Sequence, residues 1–146
     1  MSIQILLCGV LLMTILSGES QAGDNPGLLP ACPDTPNCVS SQAPDLSHFV
    51  TPFRLKVQPS QGWENFMRIL ASQPGTKISR FSANALHAEA VSRVFRFVDD
   101  IDAVLDEAAG VIHIRSASRL GYSDFGVNRK RVEQLRLQLQ QQHIIV

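Results

Sequence analysis

Residues 111–131 read VIHIRSASRLGYSDFGVNRKR and combine a strand, a polar turn and the beginning of a helix. The pattern of Val111–Ser118 predicts a β-strand that places Ile112, Ile114 and Ser116 on one face. Gly121 and Gly126 permit two bends in the turn that follows. A helix is predicted over about residues 127–141, with an apolar side formed by Val132, Leu135 and Leu139.

The residues before this stretch predict a second helix and further strands. The helix opens at Pro59-Ser60 with Ser60 as its N-cap, and Pro74-Gly75 ends it. Strands are predicted at residues 76–81, 86–91 and 94–98, and Asp99-Asp100 interrupts the last one as a turn or a bulge. Residues 101–105 read as extended or short helical chain. The apolar stripe of the helix consists of Trp63, Phe66, Met67 and Leu70.

This order of elements predicts an α+β fold with a single domain. An antiparallel sheet of about four to five strands carries both helices on one face. The length of 146 residues suits one domain, and the 45% of hydrophobic residues can form a core. The net charge of zero argues against a general nucleic-acid binder, which would carry a basic excess.

Residues 1–22 have the pattern of a signal peptide. The run from Ile3 to Leu16 is almost entirely apolar, and Ser20-Gln21-Ala22 offers small residues to a signal peptidase. We therefore expect cleavage after Ala22 and no transmembrane segment in the mature chain. The expected location is the periplasm or the secreted fraction, or the thylakoid lumen in a photosynthetic source. An uncleaved membrane anchor is the alternative.

Residues 23–59 are rich in Pro, Ser, Asp and Gly and predict an extended N-terminal arm ahead of a compact domain at residues 60–146. Within the arm, CPDTPNC separates Cys32 and Cys38 by a segment that favours a tight turn. In an oxidising compartment this pair predicts a disulfide. A zinc site and a redox-active pair are the alternatives, but the chain lacks the ligand spacing and the CxxC motif that they use.

Three segments resemble one known family. They read CPDTPNCVSSQ, FRFVDDID and IRSASRLGYSDFGVNRKRVEQLR, and they are similar to the domain of unknown function 1499 family. The resemblance covers about residues 30–137. It implies exported or membrane-associated proteins of bacteria, with relatives in plastids, and it implies no agreed biochemical activity.

The residues around the polar turn form the candidate site. We predict that Arg115, Arg119, Asp124 and Arg129 converge in one polar pocket. The residues favour a structural network of Arg and Asp side chains that fixes the turn. The functional reading is an anion pocket, because Arg residues suit bidentate contacts to carboxylate or phosphate. The expected ligand-binding residues are Arg115, Ser116, Ser118, Arg119, Ser123, Asp124, Asn128 and Arg129. The expected ion-pair partners are Arg96, Asp99 and Asp100.

These residues predict a non-enzymatic binding or envelope-complex assembly protein. Its expected partner is an envelope protein or a small anionic ligand, and no nucleic acid. A hydrolase that uses Ser116, Ser118 or Ser123 with the Arg residues is the alternative, although no GxSxG motif is present. No catalytic residue is assigned, and no cofactor or metal is expected. The segment DDID lacks the spacing of a calcium-binding loop.

Overall fold

The structure is a computed structural model that describes residues 27–146. The predicted signal peptide and its cleavage site before Gly23 lie outside the described residues. No helix within residues 27–146 is both long and apolar enough to cross a bilayer. The elements of this part of the chain are β1 (Cys38–Ser40), β2 (Phe53–Arg54), α1 (Pro59–Ala71), β3 (Thr76–Phe81), β4 (Ala85–Val91), β5 (Val98–Asp106), β6 (Val111–Ser118) and α2 (Val127–Gln141).

The strands form one antiparallel sheet in the order β1-β6-β5-β4-β3, and β2 also pairs with β6. The predicted α+β class and the antiparallel sheet are confirmed, with six strands rather than four to five. The additional strands come from the predicted arm. Its residues Cys38–Ser40 and Phe53–Arg54 pair with successive parts of β6, so a section of the arm completes the sheet.

Both helices bury their predicted apolar stripes against one face of the sheet. Trp63, Phe66 and Leu70 of α1 are buried, and Phe66 and Leu70 are fully enclosed. The core side of the sheet contributes Ile101 and further aliphatic side chains. Helix α1 begins at Pro59, one residue before the predicted N-cap, and Gln58 occupies the N-cap position without a side-chain capping bond. Proline suits this position because its missing N–H would have no partner there. On α2 the buried side consists of Val132, Leu135 and Leu139.

The strand predicted at residues 94–98 is wrong. Pairing between β4 and β5 begins only at Val98, which lies opposite Val91. Residues 92–97 form a loop that the Ser92 N–H closes by donating to the Phe97 carbonyl oxygen at 2.9 Å. Asp99 and Asp100 therefore lie inside β5 and do not interrupt it. The alternation of Phe and Val is typical of a strand. In the structure, however, the side chains of Val94, Phe95 and Phe97 are exposed and no other part of the described chain packs over them.

The predicted disulfide between Cys32 and Cys38 is present, and the two Cα atoms are 5.7 Å apart. Cys38 is the first residue of β1, so the bond fixes the segment before the sheet to one of its strands. That segment continues over the face opposite the helices. There Leu28, Leu29 and Pro30 line a shallow cavity together with residues of β4 and β5.

Candidate functional site

A buried polar network lies where α2 begins beside the ends of β5 and β6. Arg131 donates to Asp99 at 2.6 Å, to the Ser116 hydroxyl at 2.9 Å and to the Asn128 side-chain oxygen at 2.7 Å. The side chains of Arg131 and Asp99 are 17% and 10% exposed, and Ser116 and Asn128 are fully buried. Charges this deep in a protein require a partner, so the network holds α2 on the sheet.

Asn128 extends this network toward the polar turn. Its side-chain amide donates to the Ser118 hydroxyl at 2.9 Å, to Asp124 at 2.8 Å and to the Asn37 carbonyl oxygen at 3.2 Å. Asp124 also accepts the backbone N–H groups of Asn128 and Gly126. Burial raises the pKa of the Asp124 carboxyl, but the Asn128 and Gly126 donors outweigh burial and lower it. Asp124 thus caps the beginning of α2.

A second polar cluster covers the opposite face of the sheet. Arg115 donates to Asp102 at 3.2 Å, and Asp102 lies 2.7 Å from a ring nitrogen of His87. Arg119 donates to Asp100 at 2.7 Å and also pairs with Glu89. The hydrogen bond from Arg119 is the main reason why the pKa of Asp100 is lowered. These groups form one network of paired side chains across β4, β5 and β6.

Three members of this outer cluster have the chemistry of metal ligands. One ligand atom each from His87, Glu89 and Asp100 lies within 4.8 Å of the other two. The Arg119 guanidinium already bonds to both of these carboxylates. A cation at this position would have to displace Arg119, so the cluster is accounted for as an ion-pair group.

The structure does not bring Arg115, Arg119, Asp124 and Arg129 into one pocket. Arg115 and Arg119 share the outer face of the sheet, whereas Asp124 belongs to the network on the helix side. Arg129 donates to the carbonyl oxygens of Ser47 and Phe49, both at 2.8 Å, and thereby ties α2 to the arm. Strand residues alternate between the two faces, so Arg115 lies on the outer face and its neighbour Ser116 on the helix side. Ser116 bonds to Asn128, which in turn bonds to Asp124, so Asp124 lies on the helix side as well.

The remaining candidate residues lie in separate places and do not form one binding site. Ser123 accepts the backbone N–H of Phe125 at 3.3 Å, within the polar turn. Arg96, expected as an ion-pair partner, is exposed, and within residues 27–146 its side chain has no acidic partner. It has a positive φ of 57° in the loop at residues 92–97. Asp99 and Asp100 both form ion pairs, but on opposite faces of the sheet.

An apolar cleft lies at the end of the sheet, between the loop at residues 92–97 and the polar turn. Its volume is about 370 Å³, and Asp99, Ser118 and Asp124 lie among its lining residues. We call its apolar lining the aromatic end, which consists of Phe95, Phe97, Leu120, Phe125 and Val127.

The aromatic end exposes an unusual amount of large apolar side chain. Phe125 is 97% exposed, Leu120 is 77% exposed and Phe95 is 73% exposed. The rings of Phe95 and Phe97 stack with centroids 5.6 Å apart. Val94 and Tyr122 are exposed in the same two loops. Contiguous exposed apolar groups of this kind mark binding surfaces in soluble domains.

The backbone of both loops is strained at the aromatic end. Phe125 has a φ of 53°, and Arg96 has a φ of 57°. A non-glycine residue in this region costs about 1–3 kcal/mol, and such residues cluster at functional sites. Sequence reasoning missed this cleft because it assigned Phe95 and Phe97 to a strand. The signal available was the density of large apolar residues in two segments rich in Arg, Ser and Gly.

Residues 28–139 match the family described as Protein of unknown function (DUF1499). This match confirms the resemblance drawn from the sequence at about residues 30–137. Searches of curated proteins and of solved structures found no match to the chain. The family description names no activity, so the geometry of the site has to carry any functional argument. The matched region includes the disulfide, the whole sheet, both loops of the aromatic end and nearly all of α2, and the chain belongs to the DUF1499 family.

Proposed function

We propose that the chain is an exported, non-enzymatic binding domain that engages a component of the cell envelope through the aromatic end. The observation that carries this proposal is the exposure of Phe95, Leu120 and Phe125 around one cleft on strained loops. Strained backbone and uncovered aromatic rings both cost stability in the free chain, and their occurrence together at one cleft supports a binding surface. The predicted signal peptide and the Cys32–Cys38 disulfide support a location outside the reducing cytosol.

The arginines of the polar turn are less suited to bind a ligand than the sequence suggested. Arg115 and Arg119 are occupied by carboxylates, and Arg129 is occupied by backbone carbonyl groups. Arg131 has three acceptors within the buried network. An anion would have to break these contacts before it could bind. The domain therefore offers apolar surface to its partner, and its bound arginines stabilise the scaffold behind that surface.

The hydrolase alternative lacks an activated nucleophile in the described chain. The Ser116 hydroxyl is buried, donates to Asn128 and accepts from Arg131, so it has no freedom to attack a substrate. Ser118 and Ser123 accept hydrogen bonds from an amide and a backbone N–H. No histidine lines the cleft. Of its two carboxylates, Asp99 pairs with Arg131 and Asp124 accepts the backbone N–H of Asn128. A serine needs an adjacent free base for covalent catalysis.

Site-specific photocrosslinking in the producing cell tests the proposed function. A photoreactive side chain is placed at Phe95 or Phe125, and a matched control carries it at Leu46, which is 90% exposed outside the aromatic end. We expect adducts with an envelope component, whether protein or lipid, from the two aromatic positions and not from Leu46. Equal labelling at Leu46, or no adduct at either aromatic position, would refute the proposal.

Export is tested separately by fractionation and N-terminal sequencing. The proposal requires a mature chain that begins at Gly23 and is recovered outside the cytoplasm. Recovery of the chain in the cytoplasm would refute export.

A further inference from the structure

Two exposed arginines lie in one of the two loops that form the aromatic end. Arg93 and Arg96 lie in the loop at residues 92–97, interleaved with Val94, Phe95 and Phe97. Both Arg side chains are exposed, and neither has an ion pair or a side-chain hydrogen bond among the residues that the structure describes. They differ in this respect from the arginines of the polar turn and α2, which have acceptors.

The acidic groups of this end do not neutralise the two cations. Asp99 is buried and pairs with Arg131. Asp124 is half-buried and accepts hydrogen bonds from Asn128 and Gly126. The two carboxylates that line the cleft are thus engaged by protein donors, Glu89 and Asp100 in the adjoining strands share Arg119, and Arg93 and Arg96 add exposed positive charge to the loop at residues 92–97.

The two loops also satisfy part of their own backbone. Ser92 and Phe97 exchange hydrogen bonds, since the Ser92 N–H donates to the Phe97 carbonyl and the Phe97 N–H donates to the Ser92 hydroxyl, both at 2.9 Å. The N–H groups of Phe125 and Gly126 donate to Ser123 and Asp124. Loops closed in this way offer no strand edge to an incoming peptide. They also carry fewer unpaired polar groups into an apolar phase.

We propose that the aromatic end docks onto a lipid bilayer that contains anionic phospholipid. Phe95, Phe97, Leu120 and Phe125 enter the boundary between headgroups and acyl chains, and Arg93 and Arg96 contact lipid phosphates. Exposed aromatic and aliphatic side chains beside cations are the combination that holds proteins at a membrane interface. This inference rests on the proposed function of the aromatic end and names the envelope component that it engages.

Co-sedimentation with vesicles tests the inference on the disulfide-bonded chain that begins at Gly23. One set of vesicles contains phosphatidylcholine alone, and the other also contains phosphatidylglycerol. We expect binding to the mixed vesicles that weakens as salt is added, and much weaker binding to phosphatidylcholine. Equal binding to both sets, or no binding to the mixed set, would overturn the inference.

Variants assign the binding to particular side chains. Each cation near an anionic surface contributes about a fivefold gain in affinity, so replacing both Arg93 and Arg96 with Ser should weaken binding about 25-fold. Phe125→Ser should weaken it while folding is retained, because the ring is 97% exposed. Arg80→Ser and Leu46→Ser are the matched controls, since both residues are exposed outside the aromatic end. Losses as large in these controls would contradict the assignment.

A spectroscopic measurement locates the contact independently of affinity. Phe125→Trp places an indole at the tip of the polar turn, while the native Trp63 is buried in the core. The fluorescence emission of the tryptophan introduced by Phe125→Trp should shift to the blue on mixed vesicles. The tryptophan introduced by Leu46→Trp should show no shift. If crosslinking yields protein adducts at Phe125 while the purified chain ignores vesicles, the lipid inference fails and the proposed function stands. If both experiments fail, both proposals fall.

Discussion

Replacing Arg131 should be far more damaging than replacing Arg119, although both carry the same charge and both bond to an aspartate. In Arg131→Met the apolar stem is kept, but Asp99 remains as a carboxylate that is only 10% exposed and has lost its cation. Ser116 and Asn128, both fully buried, lose a donor as well. Removing one partner of a buried ion pair typically costs about 3–5 kcal/mol, and we expect a loss of that size in the free energy of unfolding.

Arg119→Ala is the matched control for this prediction. Its side chain is 44% exposed, and water and salt screen its attraction to Asp100 and Glu89. Exposed pairs contribute about 0–1 kcal/mol, so the control should lose no more than that. Urea unfolding with the disulfide intact measures both variants, because a single domain of this size normally unfolds in one cooperative step.

A double variant shows whether the buried charge is the cause. In Arg131→Met combined with Asp99→Asn, no unpaired charge remains, so the double variant should recover a substantial part of the stability lost in Arg131→Met. Two results would refute the reasoning. Arg131→Met and Arg119→Ala could lose equal stability, or the Asp99→Asn change could add its own loss to that of Arg131→Met without any recovery.

Three further predictions concern the polar turn, the histidines and the arm. Asp124→Ala should lower the free energy of unfolding by about 1–2 kcal/mol because α2 loses its cap. The pKa of Asp124 is lowered in the folded protein, so the carboxylate stabilises the native state above the ordinary value of 3.8, and this effect is lost as the pH falls below that value. The variant should therefore lose less stability on acidification below about pH 4, and an unchanged acid profile would contradict this. Burial lowers the pKa of His113 below 6.5, against a smaller opposing effect of Asp106, so the unfolded chain takes up its proton more readily and stability falls as pH drops through that value. The pKa of His48 is raised, chiefly by its hydrogen bond to the Thr35 carbonyl, so protonation of His48 stabilises the folded protein as the pH drops. Unfolding curves should therefore show a smaller loss of stability on acidification in His113→Gln and a larger loss in His48→Gln. Thiol labelling of the unfolded, unreduced chain from Gly23 should find no free cysteine, and reduction should lower stability by about 2 kcal/mol, whereas two reactive thiols would exclude the bond.

The elements that could be predicted from sequence are those whose periodicity reflects burial. The strand β6 and the helix α2 have the predicted bounds, because their apolar residues recur with a period that only one structure satisfies. The segment at residues 94–98 has the same kind of pattern for another reason. The side chains of Val94, Phe95 and Phe97 are exposed, and local alternation cannot distinguish residues that face a core from residues that face outward.

In the candidate site, the helical phase of α2 was applied to its apolar residues but not to Asn128 and Arg131. Asn128, Val132, Leu135 and Leu139 are all buried, and Arg131 lies on the same side with three of its contacts inside the protein. The spacing of i, i+3, i+4 and i+7 was visible in the sequence and indicates Arg131 as the inward cation. Arg129 lies outside this spacing and reaches the arm instead.

Strand β6 has a consequence for the order in which the protein folds. On one side it pairs with β5, which precedes it across a short turn. On its other side it pairs with Cys38–Ser40 and Phe53–Arg54, which come much earlier in the chain. Contacts between distant segments form slowly because the intervening loop must close first. Until the arm docks, β6 presents an open edge of unpaired N–H and C=O groups, which is a template for association with another chain. The docked arm therefore closes this edge against association with another chain, and the disulfide between Cys32 and Cys38 restrains the arm locally at the beginning of β1.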